Sequence, residues 1–261
     1  MITLTAGEIG LLIGGELFCD KDLLVSKAPV FDSRKASPGC IFLALQGEVV
    51  DGHDFAADAY RAGAMFSLTT KRIDGPCIVV EDVIDALSVL ATFVRKRLTN
   101  LTVIGITGSQ GKTSTKDLMS HMLAAVGPTV SPAGSFNNDL GLPITLLECD
   151  EKTRFCILEM GARHSRDIAR LCSIAAPNIG VVLTVGTAHL GEFGSVQAIA
   201  ETKSELIQSL SEDGIAILGN YDVYTPAMQS LHSGRTISFG TGCEIRATEI
   251  EIREGRPHFD L

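Results

Sequence analysis

Val103-Ile-Gly-Ile-Thr-Gly-Ser-Gln-Gly-Lys-Thr-Ser114 is the stretch that decides how this chain is read. An apolar strand runs into a glycine turn and a helix follows at once, which is the context a phosphate loop requires. Glycines there let backbone N–H groups converge on phosphate oxygens with no Cβ in the way. The helix turns its unpaired N–H groups and the positive end of its dipole toward the same anion. Gly108, Ser109, Gln110, Gly111, Lys112, Thr113 and Ser114 are therefore the predicted nucleotide-binding residues. Lys112 reaches the β- and γ-phosphates, and the Thr113 hydroxyl ligates Mg²⁺. The strict G-x-x-x-x-G-K-[ST] pattern is not met, because Ile106 stands where its first glycine belongs. The loop is the shorter T-G-x-x-G-K-T. An ordinary strand–helix turn that contains Gly-Lys-Thr is the alternative, and the flanking pattern argues against it.

Around this loop the pattern alternates. Strands are predicted at 102–107, 155–159, 179–184 and 215–218, with helices at 112–126, 165–174 and 195–210 between them. Such alternation implies a mostly parallel sheet with helices on both faces. Ligands of such sheets bind beyond the carboxyl ends of the strands, so the chemistry is expected just after Ile106, Glu159, Thr184 and Leu218. Upstream, strands are predicted at 40–45 and 76–80, and helices at 54–62 and 85–98, the former with Ala56, Ala59 and Tyr60 at helical spacing. The tail, 236–261, reads as short β segments. The predicted fold class is α/β: a small mixed α/β domain over 1–98, then a phosphate-loop domain over 99–261 with a mostly parallel sheet flanked by helices.

Composition narrows the function. The 261 residues are 45% hydrophobic and 20% charged, enough for a sizeable core. A formal net charge of -9 disfavours generic nucleic-acid binding, which needs a basic face to replace counterions. Seven cysteines, odd in number and without a C-x-x-C pair, suggest neither a zinc site nor a disulfide framework. No basic leader opens the chain, and no run nears the roughly 18 apolar residues of a spanning helix, so a cytoplasmic protein is expected.

Further motifs follow the loop in order. These are Ser135-Phe-Asn-Asn-Asp-Leu-Gly-Leu-Pro143, Leu158-Glu-Met-Gly-Ala162, Thr187-Ala-His-Leu190, Phe193-Gly-Ser195 and Lys203-Ser-Glu205. Upstream stand Phe31-Asp-Ser-Arg34, Pro38-Gly-Cys-Ile-Phe-Leu-Ala-Leu-Gln-Gly47 and Asp51-Gly-His-Asp-Phe55. Together with the shortened loop, the set resembles the Mur ligase family, and within it the branch that adds D-alanyl-D-alanine. The match runs from about residue 30 to 220.

The resemblance implies an ATP- and Mg²⁺-dependent ligase of peptidoglycan precursor synthesis, with UDP-MurNAc-peptide and D-alanyl-D-alanine as substrates and an acyl phosphate between them. It implies Glu159 and His189 as Mg²⁺ ligands beside Thr113. The bland readings are a strand-end Glu facing water and a structural His. A carboxylate ending an apolar strand is costly to bury unless a cation pairs with it. The resemblance implies a carbamylated Lys203, where the bland reading is a solvated helix face. Lys112, His189 and Lys203 are thus its catalytic set. Asn138, in a turn with Asn137, is implied to contact ATP phosphate or metal-bound oxygen. Asn220 and Asp222 are expected near adenine or ribose. Asp32, Ser33, Arg34, His53 and Asp54 resemble the uridine pocket, though Asx-turn and helix-cap readings fit them too.

The sequence departs from the family at Arg163, Arg166 and Ser204. The two arginines bear on substrate recognition, since arginine suits phosphate and carboxylate. The family also carries a third, C-terminal domain, and the chain is expected to stop at Leu261 before it. An unfinished sheet edge favours a second copy or a partner chain. The alternative functions are a truncated homologue that binds ATP or precursor without turnover, and a folate-polyglutamylating type of ligase.

Overall fold

The computed structural model describes every residue except Ser135, Glu244 and Leu261, and every side chain of those except Pro257. Ser135, which opens the asparagine motif, and Leu261, the end of the predicted second domain, lie outside the described residues. The chain groups into two compact units. One holds 1–101 with 127–132 and 139–156; the other holds 102–126, 133–138 and 157–261.

The first unit opens with β1 (Leu4–Thr5), α1 (Ala6–Ile13), β2 (Glu16–Phe18) and β3 (Leu24–Val25). Thr5 caps α1 through a capping box: Glu8 N donates to Thr5 Oγ1 at 3.1 Å, and Thr5 N donates to Glu8 Oε2 at 2.7 Å. Then come β4 (Ile41–Leu43), α2 (Ala56–Ala62), β5 (Phe66–Thr69), β6 (Cys77–Val79) and α3 (Val83–Arg97). Four strands pair in the order β2-β6-β5-β4, with β4, β5 and β6 parallel and β2 antiparallel to β6. Cys40, Phe42 and Ala44 alternate onto one face of β4 and its flanks and pack on Ala56 and Ala59 of α2.

The predicted helix 54–62 proves to be two pieces. A 3₁₀ turn, Gly52–Phe55, precedes α2, and Asp51 caps it by accepting from His53 N at 3.0 Å. His53 is therefore inside the turn rather than its cap. α3 starts two residues before the predicted 85, because Asp82 accepts from Ile84 N and Asp85 N at 2.7 and 2.9 Å.

The chain continues as β7 (Thr102–Thr107), α4 (Lys112–Ala124), β8 (Thr129–Val130), α5 (Gly141–Leu147) and β9 (Phe155–Glu159). After these come α6 (Asp167–Ala175), β10 (Ile179–Val182), α7 (Leu190–Phe193), α8 (Val196–Gln208), β11 (Ile215–Gly219) and β12 (Arg235–Phe239). A six-stranded sheet has the order β12-β11-β10-β7-β9-β8. β10 runs parallel to β7 and β11, β11 to β12, and β8 to β9. The order turns back at β7, so its carboxyl end is the switch point where such sheets take ligands. Ile104, Ile106, Ile157 and Val181 form a buried cluster beneath Met119 and Leu123 of α4. The tail forms β12 and a hairpin of β13 (Thr248–Arg253) with β14 (Arg256–Asp260), as short β segments were expected to.

α8 carries Lys203 and is fixed at its start by Ser195, whose hydroxyl accepts from Ala198 N at 3.1 Å. Ser195→Ala is expected to lower stability by about 1 kcal/mol, read as a lower urea midpoint at an unchanged slope.

Candidate functional site

The loop read as phosphate-binding lies between the end of β7 and the start of α4, the position expected from the sequence. Gly111 precedes α4 with φ 84°, in the left-handed region, and no side chain caps the helix. Its first N–H groups are left for a ligand. Gly108 is held against the next strand: a Cβ there would meet the Leu183 Cβ at 3.0 Å. Ser109 N donates to the Thr184 carbonyl at 2.9 Å, and Ser109 Oγ accepts from Gly186 N at 2.8 Å, so the loop is tied to the segment after β10. Gln110, Thr113 and Ser114 are exposed. Lys112 Nζ donates to the Gly108 carbonyl at 2.8 Å, folding back over the loop it closes. Burial lowers the Lys112 pKa, while the Glu159 charge pulls the other way.

Glu159 is fully buried at the end of β9, and Thr113 Oγ1 donates to its Oε2 at 3.3 Å. A hydroxyl and a carboxylate side by side are hard oxygen donors of the kind Mg²⁺ takes, with waters and phosphates completing its shell. These residues fit that ion. Among the described residues no three His, Cys, Asp or Glu side chains gather as a ligand set. His189 stands half-exposed at the start of α7 with φ 64°, its Nδ1 3.9 Å from Glu192 Oε1.

Lys203 is not on a solvated face. It is 6% exposed, and burial, with the Lys112 charge adding to it, pushes its pKa down to about 8. Asn138 is exposed; its neighbour Asn137 accepts from Gly161 N at 3.0 Å through its carbonyl, placing that turn beside the end of β9. Asn220 donates from Nδ2 to the Thr241 carbonyl at 2.7 Å.

Asp222 proves to be a hub rather than a free ligand group. Its Oδ2 accepts from Thr184 Oγ1, Val185 N and Thr225 Oγ1, and its Oδ1 from Tyr224 N and Thr225 N, all at 2.8–3.0 Å. Burial raises its pKa, but the bonds from Val185, Thr225 and Tyr224 outweigh this and leave it lowered. The carboxylate thus fixes the segment after β10 that in turn holds Ser109. Arg163 and Arg166 lie in an exposed loop pinned through its backbone: Asp167 accepts from Arg163 N, and Glu205 from Arg166 N, each at 2.8 Å. Arg166 adopts φ 72°.

The first unit has its own cavity of about 600 Å³, lined by Asp32, Ser33 and Arg34 with Phe31, Phe42 and Phe55 among the apolar walls. Arg34 donates to Asp32 through Nε at 2.9 Å and Nη2 at 2.8 Å. Those bonds hold the Asp32 pKa at about 2. His53 and Asp54 do not line it. The His53 ring is buried between Asp51 Oδ1, 2.5 Å from its Nδ1, and Thr70, whose N donates to Nε2 at 3.3 Å. Lys71 Nζ donates to the other Asp51 oxygen at 2.9 Å. The His53 N–H bond leads the interactions that lower the Asp51 pKa, followed by Lys71. Asp51, which the sequence reading passed over as a site residue, organises this turn; its place before Gly-His is the Asx-turn signal that would have found it.

The Mur ligase middle domain matches residues 106–260, and the Mur ligase family catalytic domain matches residues 30–95. The chain belongs to the Mur ligase family. It is 43% identical over 293 aligned residues to the UDP-N-acetylmuramoyl-tripeptide–D-alanyl-D-alanine ligase of Mycobacterium tuberculosis, covering 100% of this chain and 57% of that protein. Among solved structures, MurF from Acinetobacter baumannii superposes with a TM-score of 0.87 at 34% identity, over 98% of this chain and 58% of that one. MurF ligase from Thermotoga maritima, solved in complex with ADP, gives 0.77 at 33% identity over 89% and 55%. This Mur ligase chain therefore spans less than two thirds of the relatives it matches. No helix among its described residues is long and apolar enough to cross a membrane.

Proposed function

We propose that this Mur ligase chain binds ATP at the phosphate loop and serves the joining of D-alanyl-D-alanine to a UDP-N-acetylmuramoyl-tripeptide. The observation that carries the reading is the uncapped start of α4, with Lys112 folded over the loop and Thr113 set against a buried Glu159. Support for the substrates comes from the relatives' names and from the cavity of the first unit, with Asp32, Ser33 and Arg34 toward the uridine end of the precursor. On this reading 1–98 serves the precursor and 99–261 the nucleotide.

The reaction runs in two steps. The γ-phosphoryl group of ATP passes to the terminal carboxylate of the precursor, giving an acyl phosphate and ADP. The amine of D-alanyl-D-alanine then attacks the acyl carbon, and inorganic phosphate leaves. Lys112 exchanges its bond to the Gly108 carbonyl for phosphate oxygens, and the first amides of α4 donate beside it. Thr113 and Glu159, with His189, would hold Mg²⁺, which supplies charge neutralisation at the phosphates. Asn138 adds an uncharged donor at the phosphates, and Asn220 faces the nucleoside. Lys203 fits a carbamate role, since only a neutral amine adds CO₂ and its lowered pKa keeps a neutral fraction near neutrality.

The test is phosphate release from ATP with the UDP-MurNAc-tripeptide present. Release that depends on D-alanyl-D-alanine is expected. Calorimetric binding of ATP and precursor with no such release would make the chain a holder of ligands and overturn the ligase reading.

A further inference from the structure

Lys116 is a buried cation that the chemistry above does not use. It lies one helical turn beyond Lys112 on α4, is 2% exposed, and is among the largest fully buried side chains. A buried ammonium is costly unless it is held by acceptors. Here Asp117 Oδ1 lies 2.8 Å from Nζ, and Nζ reaches the Gly134 carbonyl at 3.5 Å. Gly134 lies three residues before Asn137 and four before Asn138.

Asn137 is fastened as well. Gly161 N donates to the Asn137 carbonyl at 3.0 Å, and a Cβ on Gly161 would meet Asn137 Cγ at 2.9 Å. Gly161 is two residues past Glu159. Gly134 is therefore held by the helix that follows the phosphate loop, and Asn137 by the segment just past β9. Both grips lie within the second unit.

We infer that Lys116 is a positioning residue, its ammonium holding Gly134 so that Asn138, four residues on, stands ready at the nucleotide phosphates. The inference rests on the ATP reading. Its mark is that Lys116 acts through Asn138. Residues that share one network show coupled effects, whereas independent sites add.

The experiment measures ATP·Mg²⁺ affinity by calorimetry in Lys116→Met, Lys116→Arg, Asn138→Ala and the Lys116→Met/Asn138→Ala pair, each checked for a cooperative melt. Lys116→Met is expected to weaken binding by about tenfold, the size of a lost hydrogen bond to a charged group. Lys116→Arg should recover most of it, because the charge and donors remain. The pair should bind no more weakly than Asn138→Ala alone. Additive losses in the pair, or a Lys116→Met chain that binds like wild type, would overturn the role of Lys116 only. Should Lys116→Met fail to fold, Lys116→Gln with and without Asn138→Ala carries the same comparison, since it too removes the charge. A wild-type chain that binds no ATP sinks the nucleotide reading itself.

Discussion

Lys112→Ala is expected to weaken ATP binding by about 10- to 100-fold, the range for losing charge-assisted hydrogen bonds to phosphate. The melting temperature of the ligand-free protein should stay nearly unchanged. The reason is geometric. Among the described residues the ammonium donates a hydrogen bond only to the nearby Gly108 carbonyl, and its burial works against its charge more than the Glu159 charge works for it. Removing it costs the fold one local bond and the attraction of Glu159 but relieves a larger desolvation penalty, so the effects offset each other. The nucleotide loses its only lysine within the loop. Calorimetry and a thermal melt on the same preparation check both halves. Intact affinity would remove Lys112 from its assigned place.

The second large effect concerns Lys203. Its pKa is lowered from 10.5 to about 8 by burial, with the Lys112 charge as a lesser cause. A base with a lowered folded pKa binds its proton less readily than the unfolded chain does. Stability must then rise as pH climbs from about 8 to 10.5, and the full cost is present below 8. At pH 7, Lys203→Met is therefore expected to be more stable than wild type by up to about 3 kcal/mol, from a shift near 2.5 units. The gap should close toward pH 10.5. Urea midpoints in bicarbonate-free buffer at both pH values test this. A methionine variant that is weaker at pH 7 would show that the charged lysine is held by more than it costs. On the proposed ligase reading the same variant is expected to lose turnover, so stability and function would separate at this one side chain.

Much of the fold could be read in advance, where the pattern was regular. β7 and β9 occupy their predicted spans because each is a continuous apolar run bounded by turn residues and buried on both faces. The strand–loop–helix at 102–124 was legible because an apolar run, the turn glycines Gly108 and Gly111 and a helical pattern follow one another. Other elements were hidden. α5 begins Gly-Leu-Pro and has no side-chain cap, so its start imitates a turn; packing against α3 decides it. β8 is two residues long, below any period. The start of α1 does carry a local signal, the capping box Thr5-Ala-Gly-Glu8.

Side-chain roles were harder to foresee. A lone His says nothing of its neighbours, and the His53 ring turns to Asp51 and Thr70 instead of the cavity. Lys203 between two glutamates reads as surface, yet α8 buries that side in the core. Asp222 was read only as a residue near the nucleoside; three of its donors come from the Tyr224–Thr225 turn beside it, but Thr184 and Val185 reach it from nearly forty residues away. Such convergence is a property of the folded chain and has no local signal.

The bare start of α4 carries a cost that selection cannot remove cheaply. A serine or aspartate in place of Gly111 would ordinarily firm up a helix of this length, yet it would occupy the amides that the incoming anion needs. The backbone at that point also leans away from any L side chain. On the proposed reading, whatever rigidity the first turn lacks when empty is made good by the nucleotide. Efforts to toughen this protein by consensus capping should therefore leave that one terminus alone.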